Sequence, residues 1–208
     1  TVGKEAPREE LIAERIRLAV GRRAAQPLLG DTQAVRLVNA EGDGLPGLVV
    51  DRYADVVVVK ITAVGMQRRR ELVAAALREA TGAGVGFERA DAAAARREGM
   101  STEQGALWGT APDGPFEICE RDRRYRIDVL AGQKTGFYPD QRDSRDLVSS
   151  LPAGRRVLEL LAYSMSLSVA AALGGASAAT LLECQAPAPG TAHASSAPSP
   201  RALAYRFV

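Results

Sequence analysis

The chain has 208 residues, of which 46% are hydrophobic and 25% charged, with a formal net charge of +2. That is an ordinary soluble composition, long enough for one large or two small domains with a sizeable core, and its balance does not by itself announce a nucleic-acid binder. Two cysteines, Cys119 and Cys184, have neither metal-ligand spacing nor the look of a disulfide framework, which suits a reducing cytoplasm.

No apolar run approaches membrane-spanning length, and no signal peptide is read at the start. Thr1 in place of methionine suggests a missing preceding segment. Lysine occurs only at Lys4, Lys60 and Lys134, so the positive charge is nearly all arginine, whose planar fork suits phosphate and base edges. A general arginine bias would give the same composition.

Residues 7–23 predict a helix with Ile12, Ile16, Ala19 and Val20 on one face and Glu9, Glu10, Glu14, Arg15 and Arg17 on the other. Acids early and arginines late match the helix dipole. A strand follows over 34–39 and a Gly/Pro loop over 42–47. Strands at 48–51 and 56–61 predict a hairpin around Arg52-Tyr53-Ala54-Asp55, the second run being β-branched and buried. Residues 66–80 predict one helix burying Leu72, Val73, Ala76 and Leu77. The Arg68-Arg69-Arg70 run reads as a solvated face that could touch RNA. A strand at 85–88 and a short helix at 90–98 complete an α+β domain over 33–115.

From Phe116 the period becomes two. Phe116, Ile118, Tyr125, Ile127 and Val129 alternate with Glu117, Arg124, Arg126 and Asp128 around an Arg121-Asp122-Arg123 turn, the pattern of a half-buried hairpin. Residues 140–149 predict a helix, 156–161 a strand, 166–173 a helix and 178–183 a second strand, with Gly174-Gly175 as the turn. That is the opening β-α-β unit of a doubly wound parallel sheet. Residues 185–208 read as an Ala/Pro/Ser-rich, low-complexity tail without apolar period. His193 lies there and takes no role.

Two stretches carry more than secondary structure. One is Gly132-Gln133-Lys134-Thr135-Gly136-Phe137-Tyr138-Pro139-Asp140-Gln141-Arg142; the other runs from Val38-Asn39-Ala40-Glu41-Gly42 through Leu45-Pro46-Gly47 to Asp51-Arg52-Tyr53. Two glycines permit sharp turns, Lys134 and Thr135 offer an ammonium and a hydroxyl, and Asp140 can cap the helix carrying Arg142 and Arg145. The two stretches, in this order, resemble the RlmI-type ribosomal RNA methyltransferases, which use S-adenosylmethionine (SAM) to methylate carbon five of a cytosine. The resemblance runs from about Arg8 to Glu183.

The resemblance implies an α/β fold class: a central α+β domain, then a hairpin and the first β-α-β unit of a Rossmann-like SAM methyltransferase sheet, incomplete in this chain. It divides the chain into a connector helix (1–32) after an RNA-binding PUA domain, the central domain (33–115), the start of the methyltransferase domain (116–184) and the tail. SAM is the implied cofactor, ribosomal RNA the implied partner and the cytoplasm the implied location, with no membrane and the oligomeric state open. Glu159, Tyr163, Ser164 and Glu183 are the implied cofactor residues; Gln133, Lys134, Thr135, Phe137, Asp140, Gln141 and Arg142 form the implied substrate loop. Lys134 and Arg142 would lie near RNA phosphate, or Asp140 and Arg142 would only pair with each other.

Where the family loop reads roughly D-L-F-x-Y-T-G-G-F, this chain has Glu159-Leu160-Leu161-Ala162-Tyr163-Ser164-Met165-Ser166-Leu167. Met165 and Ser166 replace both glycines, so any positive φ there is costly. Carbon-five methylation needs a cysteine thiolate, which the resemblance places beyond this chain's end. The resemblance therefore implies a SAM-dependent methyltransferase of ribosomal RNA, impaired or inactive in this chain with cofactor binding weak or absent; the alternative is a non-catalytic remnant with at most weak RNA binding. A nicotinamide enzyme is disfavoured, since no G-x-G-x-x-G follows the first strand.

Overall fold

The structure is a computed structural model, and it describes residues 9–151, 153–183 and 203–207, the side chains of 183 and 203–207 excepted. The chain divides into two compact units, residues 1–30 with 35–111 and residues 31–34 with 112–208.

In the first unit, helix α1 (Glu9–Ala24) begins on Glu9 and Glu10, ends on Arg22 and Arg23, and buries Ile12, Ile16 and Ala19. A five-stranded sheet holds β1 (Ala34–Asn39), β2 (Leu48–Tyr53), β3 (Val56–Ile61), β4 (Val85–Arg89) and β5 (Gly105–Trp108) in that spatial order. The pair β2/β3 is antiparallel, β3/β4 parallel and β4/β5 antiparallel. Central β3 is the near-continuous Val run, which only a strand covered on both faces tolerates. Its Val57 and Val59 join Ile12, Ile16, Val73 and Leu77 in one core.

Several boundaries differ from the sequence reading. The hairpin turn is Ala54-Asp55 alone, because Tyr53 is fully buried in β2 and Ala54 takes φ 53°. The expected helix over 66–80 is broken into α2 (Val64–Gln67) and α3 (Arg70–Thr81), with Arg69 at φ −112° between them. Arg70 is not simply solvated: its guanidinium bonds Glu88 at 2.5 Å. Helix α4 (Ala92–Glu98) starts on Asp91, whose carboxylate accepts from the Ala93 and Ala94 N–H groups. Short β5 gave no periodic signal.

In the second unit, β6 (Phe116–Glu120) and β7 (Arg123–Ile127) form the antiparallel hairpin, with Glu120 opposite Arg123. Arg123 is thus a buried strand residue rather than part of the turn, and Asp128, expected on the outer face, is also buried. After a short helical turn (Pro139–Gln141) come α5 (Arg142–Ser150), β8 (Arg156–Leu160), α6 (Ser166–Leu173) and β9 (Ala178–Glu183). Within the segment expected to be a featureless tail, residues 203–207 form β10 (Leu203–Phe207), parallel to β9. Alternation of Leu203, Tyr205 and Phe207 fits a strand, a signal masked in sequence by the Ala/Pro/Ser stretch before it. The rest of the tail, Cys184 and His193 lie outside the described residues.

The small sheet has the order β10-β9-β8, both pairs parallel. Among the described residues β8 pairs only with β9. The face carrying Val157, Ala179 and Leu181 packs with Ala162 and Met165. On the opposite face Leu158 and Leu160 stay 59% and 62% exposed. No helix among the described residues is long and apolar enough to cross a membrane.

Candidate functional site

A pocket of about 440 Å³ opens at the C-terminal end of β8, lined by Glu159, Tyr163 and Ser164 from the β8–α6 segment and by Gln133, Tyr138 and Gln141 from the glycine-rich segment. Strand ends of parallel sheets are where such folds take ligands. Five of the site residues read from the sequence, Glu159, Tyr163, Ser164, Gln133 and Gln141, therefore meet at one cavity.

The glycines earn their place sterically. A Cβ on Gly132 would stand 2.3 Å from the Asp128 carbonyl oxygen and 2.8 Å from the Tyr163 hydroxyl, and one on Gly136, at φ 120°, would stand 2.9 Å from the same carbonyl. The loop is wound around Asp128, which accepts on its backbone carbonyl from Gly132 N–H at 3.0 Å. Its carboxylate accepts from Leu130 and Ala131 N–H at 2.8 and 2.9 Å. The Gln133 N–H donates to the Tyr163 hydroxyl, which ties the loop to the β8–α6 segment. Tyr138 donates to the Gln133 side-chain carbonyl at 3.1 Å and meets the Tyr163 ring edge-on at 6.0 Å.

Behind the loop lies an ion-paired core that the sequence reading did not find. Arg145 and Glu120 are both fully buried and bonded twice, at 2.7 and 2.6 Å. The Arg145 guanidinium also donates to the Tyr138 carbonyl and lies 4.6 Å over the Phe137 ring. Phe137 in turn packs on Tyr125, whose hydroxyl is pushed far above its ordinary pKa by burial and by the Glu120 charge. Strand alternation from Ile118 to Glu120 was the available signal for an inward-facing acid. Arg121 and Arg123 both bond Asp146 on α5.

The remaining expectations divide. Thr135 and Phe137 are buried beneath the loop, while Lys134 is exposed at φ 53°. Asp140 does not cap α5: it is exposed in the preceding turn, the N-cap is Gln141, and no side chain makes the cap bond. Nor does Asp140 pair with Arg142, which bonds Asp143 at 3.0 Å. At the strand end, Glu159 accepts from the Ser168 N–H at 2.8 Å, placing its charge on the first turn of α6. Glu183 closes β9.

Two residues between β8 and α6 have left-handed backbone, Leu161 at φ 58° and Met165 at φ 52°. Met165 occupies the first of the two positions where the resembling family has glycine. The chain keeps a glycine-type conformation there with a side chain that disfavours it. Ser166, at the second, is an ordinary helical residue opening α6.

A model of the S-adenosylmethionine-dependent methyltransferase family matches residues 92–191. Two solved structures of proteins described as putative methyltransferases superpose on the chain: one, complexed with SAH, has TM-score 0.75 and 26% identity over 88% of this chain and 46% of its own. The other, from Streptococcus mutans, has TM-score 0.73 and 27% identity over 88% and 47%. Fold, pocket position and family model thus define the Rossmann-like, SAM-dependent methyltransferase class.

Among curated relatives, the ribosomal RNA large subunit methyltransferase I of Aeromonas salmonicida is 40% identical over 141 residues, 68% of this chain and 36% of the relative. That of Pseudoalteromonas translucida is 33% identical over 190 residues, 91% and 48%. The chain is thus similar to the RlmI-like SAM-dependent methyltransferases over as much as 91% of its own length. It spans about half or less of the length of these relatives.

Proposed function

We propose that this chain supplies the cofactor-binding entry of a SAM-dependent methyltransferase acting on ribosomal RNA. The observation that carries the reading is the pocket at the end of β8, where the glycine-rich loop and the β8–α6 segment converge on Glu159, Tyr163 and Ser164. Its volume lies within the range of small-molecule sites. Hydroxyls beside a helix N-terminus suit the amino-acid end of the cofactor, and Glu183, by its position at the end of the second strand, is the acid proposed to accept from the ribose hydroxyls. When bound, SAM supplies an electrophilic methyl group on a sulfonium. The chain's own residues hold and orient it, with Tyr163 fixing the loop through Gln133.

Of the two cations proposed for RNA phosphate, Lys134 is the better placed, being exposed, while Arg142 is engaged by Asp143. Carbon-five chemistry needs a thiolate beside the ring. Cys119, the cysteine among the described residues, is exposed in β6 and does not line the pocket, so the described part of the chain is proposed to bind rather than to transfer.

Calorimetric titration with S-adenosylhomocysteine tests the reading. Saturable binding that Tyr163→Phe and Glu159→Gln each weaken by roughly tenfold is expected, the loss of one buried or charged hydrogen bond. No heat at millimolar ligand, or binding indifferent to both changes, would show that the pocket is not the cofactor site.

A further inference from the structure

A second cavity, of about 290 Å³, lies wholly within the first unit, and nothing in the methyltransferase reading uses it. Its walls are Leu11 and Ile12 of α1, Leu45 and Pro46 of the loop before β2, and Met66 of α2. Two arginines complete the lining, Arg15 and Arg69.

Several arginines of this unit are held by acids, and the two that line the cavity are not. Arg23 pairs with Asp43, Arg36 with Asp51 and Arg70 with Glu88. Among the described residues neither Arg15 nor Arg69 has an acidic partner. Each is instead held by one backbone carbonyl of the cavity wall: Arg15 donates through Nη1 to Gly44, and Arg69 through Nη1 to Gly65 at 2.9 Å. The Arg69 Nε is buried with no hydrogen-bond partner. It shares that state with buried atoms of Arg123, Tyr125 and Ser168, so the cavity is marked by its two arginines rather than by this atom.

Local structure explains the placement. A continuous helix over 66–80 would have spread Arg68, Arg69 and Arg70 around its circumference at about 100° intervals. Instead the chain breaks after α2, and Arg69 leaves helical geometry at φ −112° to become the residue before α3. Local breaks of a sequence-favoured element are expected where a site is being built. The opposite wall is fixed by Gly44 N–H to the Glu41 carbonyl and Leu45 N–H to the Ala40 carbonyl, at 3.0 and 2.9 Å.

We propose that this cavity binds a small apolar anion, an aliphatic or aromatic body carrying one carboxylate or phosphate. The body replaces water against Leu11, Ile12, Leu45 and Met66, and the anion meets the guanidinium donors that lack acids. A nucleobase is a poor fit, since its polar edges would face aliphatic walls without partners. A neutral apolar molecule would leave the guanidinium groups of Arg15 and Arg69 with one backbone carbonyl each and no countercharge. The site is independent of SAM and of RNA, so it can fail without touching the methyltransferase reading.

Octanoate, octyl phosphate, octanol and acetate, titrated into the full 208-residue chain with the Met66 methyl resonance as reporter, test it. Octanoate or octyl phosphate should bind saturably, at least roughly tenfold tighter than octanol or acetate, as one charged hydrogen bond requires; the stronger of the two identifies the head group. Arg15→Met and Arg69→Met keep the linear stem and should each erase that preference while leaving octanol binding unchanged. Equal binding of octanoate and octanol, or no saturable shift with any probe, overturns the proposal even if neither variant folds.

Discussion

Met165 makes a sharp quantitative test of how this loop is built. Its backbone sits at φ 52°, ψ 18°, a conformation that disfavours every L side chain by roughly 1–2 kcal/mol. The half-buried side chain packs against Ala162, Ala179 and Leu181. Replacing methionine by glycine therefore mixes relief of strain with loss of packing, and the Ala variant separates them, since both lose the same contacts. Glycine relieves the strain that alanine retains but gives back roughly 0.5–1 kcal/mol in chain entropy, so M165G should exceed M165A in stability by about 0.5–1 kcal/mol. Ser166, one residue on, opens α6 with no positive φ, and there the order must reverse: S166G should be less stable than S166A by about 0.5–1 kcal/mol. Amide exchange at Val169, whose N–H bonds the Met165 carbonyl at 2.9 Å, reads the second unit directly, whereas Trp108, the single tryptophan, lies in the first. Protection should differ about two- to fivefold within each pair, with opposite signs. The same order at both positions, or M165A matching M165G, would refute the claim that the loop holds a strained glycine-type turn.

The other expectations are simpler. Arg145→Ala should destabilise the second unit by about 3–5 kcal/mol in denaturant unfolding, because it strands Glu120 as a fully buried charge; a loss below about 1 kcal/mol would mean that water reaches the pair. Asp91→Ala should cost about 1 kcal/mol through loss of the α4 cap. The Asp91 carboxyl is held below its ordinary value chiefly by its bond to Lys60 and by the α4 N–H groups. Its stabilisation is therefore present above the unfolded-state value near 3.8 and lost as pH falls through the lower folded-state value, and the acid limb of the stability profile should flatten in D91A relative to wild type. Leu158→Lys with Leu160→Lys should alter stability by less than about 0.5 kcal/mol while reducing light scattering from self-association, whereas Leu181→Ala on the covered face should cost about 2–5 kcal/mol; unfolding by the lysine pair would show that the outer face is covered. Transfer of tritiated methyl groups from labelled SAM to large-subunit RNA by this chain alone should stay at the no-enzyme blank, and incorporation lost on mutating Cys119 would overturn that reading.

Much of this was fixed by local pattern. The Val run of β3, the period-two hairpin of Ile118, Tyr125 and Ile127, and the apolar stretches at β8 and α6 declare themselves because burial on one or both faces leaves a period in the sequence. The glycines at 132 and 136 were legible as turn residues for the same local reason. What the sequence could not supply was pairing between distant segments. Glu120 and Arg145 stand twenty-five positions apart, and each looks like an ordinary surface charge until the hairpin and α5 bury them together. Asp140 was the favoured cap by residue type, but a short helical turn beginning at Pro139 moved the true helix start past it. The break that turns Arg69 toward the second cavity runs against a good helical pattern, and short β10 needed the ready edge of β9 to become a strand at all. Propensity and periodicity act over a few residues, whereas these outcomes depend on which surfaces meet, and only the folded chain decides that.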